Sequence, residues 1–132
     1  MTSTKTPTRR LLLGAAAAAA TRPALAAARD YEFRLLTNEV RRGEAVIAVR
    51  LVHKASGRAV PDAVIYATRL DMAPESMPTM TTPLTAVPGG EPGTYRFRAE
   101  LPMAGGWALT LAARVQGEEG TVQGRFVLRA TP

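Results

Sequence analysis

Met72, Met77 and Met80 fall within the eleven residues from Leu70 to Met80, in a chain that holds five methionines and no cysteine. A thioether sulfur is a soft, neutral donor that selects Cu(I) and needs no deprotonation. It also avoids the disulfide chemistry that claims thiols in an oxidising compartment. Pro74 and Pro78 interrupt the same stretch, and Met103 precedes the pair Gly105-Gly106. All four residues read as lying in two connections between elements, whereas methionine used as core filler scatters among the elements themselves. Met72, Met77, Met80 and Met103 are therefore the candidate metal ligands and copper(I) the candidate ion, with Met77 and Met80 ahead of the other two. A second reading needs no metal. Met72 continues the apolar phase of Val64, Tyr66, Thr68 and Leu70, Met103 lies near Trp107, and a methionine-rich surface also suits adaptable hydrophobic contact with a protein partner.

Other groups that could do chemistry are few. Asp71 and Glu75 flank the methionines and could assist a harder ion such as Cu(II), but they read first as solvated loop carboxylates. His53, the one histidine, continues the apolar phase of Ile47, Val49 and Leu51 and reads as a strand-end histidine with a local partner. Trp107, the one tryptophan, could stack on a Cu(I) site, but at the start of an inward strand it reads as the central core residue. Catalysis has no support: no nucleophile with a plausible base, no glycine-rich phosphate loop and no paired carboxylates in one phase. The reading is of a protein that is not an enzyme.

These residues have to be positioned by the chain downstream of an N-terminal leader. Thr8-Arg9-Arg10 precedes Leu11-Leu12-Leu13, Gly14 and the alanine run Ala15 to Ala20, and Arg22 leads into Ala24-Leu25-Ala26. A basic start, a short apolar core and a small-x-small end make a cleavable export signal, and the paired arginines make it of twin-arginine type. The apolar core of roughly ten residues is half the ~20 that span a bilayer, so no permanent membrane anchor is expected. Residues 1–28 are thus assigned to the signal and 29–132 to a single domain in the periplasm. Losing Lys5, Arg9, Arg10 and Arg22 leaves thirteen basic side chains against eleven acidic, so the sequence pI near 10.7 is no argument for nucleic acid. Without cysteine, a domain of this size holds together through its core alone.

Past the leader the dominant pattern has period two. Tyr95, Phe97, Ala99 and Leu101 alternate with Arg96, Arg98 and Glu100; Trp107, Leu109, Leu111, Ala113 and Val115 share one face, and so do Val122, Phe126 and Leu128. These three runs, joined by short glycine turns, read as a meander. Tyr31-Phe33-Leu35, Ala45-Ile47-Val49-Leu51 and Val64-Tyr66-Thr68-Leu70 add three more strands, and Thr85 to Val87 a short seventh. The arginines Arg96, Arg98, Arg114, Arg125 and Arg129 are the wet faces. The fold class is all-β, an antiparallel immunoglobulin-like β-sandwich of about seven strands. Alternating strand direction sends Met72, Met77, Met80 and Met103 to one rim and His53 to the other end.

Two segments resemble a known family. Ser56-Gly57-Arg58-Ala59-Val60-Pro61-Asp62-Ala63-Val64, leading through Leu70-Asp71-Met72 to Met77-Pro78-Thr79-Met80, looks like the front half of the FixH and YtkA-like family. Pro92-Gly93-Thr94-Tyr95 and Leu101-Pro102-Met103-Ala104-Gly105-Gly106-Trp107 are similar to its back half. Together they cover about residues 55 to 115. The resemblance implies an exported immunoglobulin-like domain linked to copper handling and cytochrome oxidase maturation, with a copper-transport or oxidase-assembly protein as partner. It is specific for fold and weak for function.

Overall fold

A computed structural model describes residues 28–132, so the export signal assigned to residues 1–28 lies outside the described residues apart from Ala28. Nine strands succeed one another: β1 Tyr31–Leu35, β2 Glu39–Arg41, β3 Gly43–His53, β4 Val64–Met72, β5 Met77–Thr82, β6 Thr85–Val87, β7 Thr94–Leu101, β8 Gly105–Arg114 and β9 Val122–Thr131. They form two sheets, ordered β1-β3-β7-β6 and β2-β9-β8-β4-β5. Except for the parallel pair β2–β9, every pairing is antiparallel. The first sheet has the A-B-E-D order of an immunoglobulin-like domain, and the second contains its G-F-C order extended by edge strands. The all-β sandwich read from the alternation is therefore the fold. The count exceeds seven because two short edge strands, β2 and β5, carry no alternating signal.

The core is the set of positions that alternation selects. Ile47, Val49 and Leu51 of β3 face Leu109, Leu111 and Trp107 of β8, and all are essentially unexposed. Trp107 is fully buried at its centre, and its indole N–H donates to the carbonyl of Met103, 3.0 Å away. A buried tryptophan needs such a partner, and the bond ties the β7–β8 turn to the core.

Two expectations fail here for identifiable reasons. The three runs from Thr94 onward do not form a meander: β8 and β9 pair as a hairpin, but β7 belongs to the other sheet, between β3 and β6. Alternation identifies a strand with one wet face and says nothing about which strand lies beside it. In β4 the expected phase is also wrong over its first half. Val64 and Tyr66 are more than half exposed while Ile65 packs on the core, because the pairing with β8 slips between Ile65 and Ala67. A bulge adds one residue and moves every later side chain to the other face.

One clamp ties the front and back segments together. Tyr95 donates its hydroxyl proton to the Val60 carbonyl at 2.6 Å and accepts from the Ala63 amide at 3.1 Å. Burial, with a smaller contribution from nearby Asp62, holds the Tyr95 phenol above its ordinary range although the Ala63 amide opposes the shift. Gly93, at φ 85°, lies against Ala59 and Val60 with no room for a side chain. The Gly-x-Tyr pair is thus the seat on which the β3–β4 connection rests.

Candidate functional site

The methionine segment is a strand end, a tight turn and an edge strand. Met72 closes β4 and is paired by register with Met77, the first residue of β5; Leu70 and Asp71 pair with Thr82 and Thr81. Two residues of β4 thus oppose five of β5, and Pro78, Thr79 and Met80 bulge out between the paired positions. Met77 and Met80 therefore lie in a strand and not in the loop that the prolines suggest, because β5 is short, irregular and borders solvent on one side. Between Met72 and Met77 runs a 3-10 turn, Ala73–Glu75, closed by Ser76 at φ 64°. A left-handed non-glycine residue costs on the order of 1 kcal/mol, which the surrounding contacts must offset.

That turn sits on the start of β8. Glu75 accepts the Gly106 amide through Oε2 at 2.7 Å. A Cβ at Gly105 would lie 3.2 Å from the Met72 methyl carbon, and one at Gly106 would lie 3.0 Å from Pro74. Gly105-Gly106 is therefore less a reversal of the chain than a landing for Met72, Pro74 and Glu75. Sequence reasoning missed Glu75 in this role; the signal available was a lone carboxylate in a proline turn beside a glycine pair.

The two methionine-bearing connections thus meet at one end of the sandwich. Met72 is completely buried, Met77 and Met80 pack against the core while keeping part of their surface exposed, and Met103 is 37% exposed. His53 lies at the far end: Leu101, two residues before Met103, pairs with Gly43, and ten residues of β3 separate Gly43 from His53, about 33 Å at ~3.3 Å per residue. As expected, His53 has local partners, with Nδ1 3.2 Å from Ser56 Oγ and the Tyr31 ring edge-on at 5.2 Å. Burial, reinforced by Glu118, raises the Tyr31 phenol above its usual range.

Of the two carboxylates beside the methionines, Glu75 is exposed as expected, but Asp71 is not. Asp71 is buried; its Oδ2 accepts from Arg69 Nε at 2.7 Å and its Oδ1 from the Ala73 amide at 2.8 Å. Burial pushes this carboxyl up, but the Ala73 amide, the Arg69 bond and the charges of Arg69 and Arg125 outweigh it and hold it below the usual carboxylate range. Among the described residues no three His, Cys, Asp or Glu side chains converge. The soft donor atoms at this end are the methionine thioethers, a chemistry that suits a soft monovalent ion.

Because its folded value is depressed, Asp71 stabilises the fold above the ordinary carboxylate range, and that contribution is lost as pH falls from there through the lower folded value. Replacing Asp71 with Asn should cost about 1–2 kcal/mol at neutral pH, the lower part of the range for a hydrogen bond to a charged group because Arg69 is half exposed. Urea denaturation of both proteins between pH 7 and 3 checks this: the gap should close toward pH 3, and a constant gap would show that the charge is not its origin.

A family model described as YtkA-like matches residues 25–112, two thirds of the sequence and both methionine-bearing connections. The chain belongs to the YtkA-like family. The match begins well before the segments that carry the resemblance in the sequence. Among solved structures, this YtkA-like chain is similar to a DUF4426 family protein from Pseudomonas aeruginosa, at 15% identity and a TM-score of 0.54, covering 77% of this chain and 89% of that one. The Lin-41 filamin domain is a further neighbour, at 17% identity and a TM-score of 0.48, with 76% and 91% covered. At such identities the likeness to the first concerns the fold alone. Among curated protein sequences nothing matches this YtkA-like chain.

Proposed function

We propose that this YtkA-like domain is an exported periplasmic accessory protein that binds copper(I) through Met77, Met80 and Met103, with Met72 as the buried wall behind them, for copper delivery or homeostasis. The observation that carries this reading is the contact of the Met72 methyl with the start of β8 while Met72 is paired with Met77, which brings two methionine segments distant in sequence to one end. Trp107 serves as a positioning residue, since its indole N–H holds the Met103 carbonyl. A copper-transport or oxidase-assembly protein is the partner this reading implies. Leucine replaces methionine at nearly constant volume. Competition titration with Cu(I) should therefore show affinity at least 100-fold lower for the Met77→Leu, Met80→Leu, Met103→Leu protein, with an unchanged urea midpoint. Equal affinities would end the proposal.

A reading without metal retains one specific support. No residue of β5, Met-Pro-Thr-Met-Thr-Thr, carries a charge, although edge strands are commonly protected by charge. A methionine surface contacting a partner would survive the leucine changes and fail on Met80→Glu.

A further inference from the structure

β5 covers β4 only at Leu70, Asp71 and Met72, after which Pro83 and Leu84 carry the chain across to β6 in the other sheet. The β4 edge from Val64 to Arg69 is left with β8 on one side and no strand on the other. β6 in turn pairs with β7 only at Arg96, Phe97 and Arg98. Between the two interrupted edges lies a cleft of about 320 Å³ lined by Ile65, Ala86, Val87, Tyr95, Arg96 and Phe97, among others. Val-Ile-Tyr-Ala-Thr-Arg, the sequence of this edge, has no proline, and its one charge, Arg69, is paired with Asp71, so little blunts the free strand. Val64 and Tyr66 stand 56% and 53% exposed on it.

One polar group in the cleft lacks a partner, and one cation on the neighbouring outer face lacks an acid. Arg96 Nε is buried with no acceptor, although its Nη2 donates to the Pro88 carbonyl at 2.8 Å. Arg114 lies 5.8 Å over the Tyr66 ring and makes no ion pair among the described residues.

We propose that the Val64–Arg69 edge accepts an extended segment of a partner protein as an added strand, with apolar side chains entering the cleft and acidic side chains alternating with them on the outer face. Strand addition satisfies the free backbone groups of β4, and period-two geometry sends every second side chain inward, over Ile65, Val87 and Phe97. On the outer face Arg114, which lies one strand further in on β8 and leans over Tyr66 without an ion pair among the described residues, is the cation that selects for acid; Arg69 is already held by Asp71. About six residues span the edge. A second copy fits less well: pairing β4 with β4 leaves each Ile65 in its own domain and both clefts unfilled.

An acetylated, amidated hexapeptide alternating glutamate and valine provides the probe, titrated into the 15N-labelled protein and followed by amide shifts. Saturable shifts are expected at residues 64–69, 86–87 and 94–97. A lysine–valine analogue should bind at least tenfold more weakly, Ala86→Phe, which fills the cleft, should weaken the acidic peptide at least tenfold, and Arg114→Glu at least fivefold. Arg114 lies on an exposed face, so its variant keeps the test valid even where Ala86→Phe perturbs folding. The absence of saturable shifts at these residues at millimolar peptide, or equal binding of the lysine analogue, would overturn the proposal. Shifts of the same residues with protein concentration alone would assign the edge to a second copy and overturn it equally.

Discussion

Replacing Trp107 with Ala should unfold the domain or lower its stability by about 4 kcal/mol, within the ~3–5 kcal/mol typical of a buried aromatic reduced to alanine. The indole is fully buried at the meeting point of both sheets, paired by register with Leu128. No disulfide backs it up, since the chain has no cysteine. With a total stability of roughly 5–15 kcal/mol for such a domain, the loss leaves little margin, and at ~4–8 °C per kcal/mol the melting temperature should fall by about 20 °C. Thermal unfolding followed by far-ultraviolet circular dichroism checks this, because the only tryptophan fluorescence is lost with the substitution. Trp107→Phe separates two roles. It keeps most of the buried area but releases the Met103 carbonyl, so it should cost less than half as much and still reduce Cu(I) affinity. An alanine variant as stable as the parent would mean that the core closes without the indole.

Gly93→Ala should be nearly as damaging although it adds a single methyl group. The added Cβ would overlap the Ala59 side chain and come within 3.1 Å of the Val60 amide nitrogen, at a φ of 85° that alanine avoids. Left-handed backbone costs about 1–2 kcal/mol for a non-glycine residue, and overpacking a tight contact about 1–3 kcal/mol more. Relief requires moving the Ala59–Ala63 segment, which also breaks the Tyr95 bonds to Val60 and Ala63 and strains the Leu51 amide's bond to the Gly93 carbonyl at 3.0 Å. A loss of about 3 kcal/mol is expected, read as a urea midpoint lower by roughly 1–2 M. Gly57→Ala is the control. It has a similar φ of 73° and nothing within 4 Å, so it should show the backbone cost alone. Equal effects at the two positions would remove the steric part of the argument.

The contrast between these glycines shows where sequence reasoning stops. Both sit in polar connections and look alike in composition, yet one opens to solvent and the other bears on the distant Ala59–Val60 segment. The same limit applies at the methionines. Residue chemistry alone singled out Met72, Met77, Met80 and Met103, and strand counting alone separated them from His53, because direction alternates in an antiparallel sandwich whichever strands are neighbours. Whether each sulfur faces core or solvent depended on the bulge at Pro78–Met80 and on the glycine landing at Gly105-Gly106, neither of which has a periodic signature. Asp71 and Glu75 gave the opposite lesson. Nothing in the sequence shows that Asp71 is buried on Arg69 and the Ala73 amide, or that the exposed Glu75 reaches the Gly106 amide; the fold supplies all three partners.

The sequence by itself determined the all-β class, the core face of most strands and the candidate ligands, because period-two burial and donor chemistry are local properties of a chain. Sheet membership of β7, the reversed phase of Val64 and Tyr66, the partners of Asp71 and Glu75 and the uncovered half of β4 were decided only in three dimensions. Each depends on which strand lies beside which, and that choice is made by long-range packing and by turns and bulges that leave no period in the sequence.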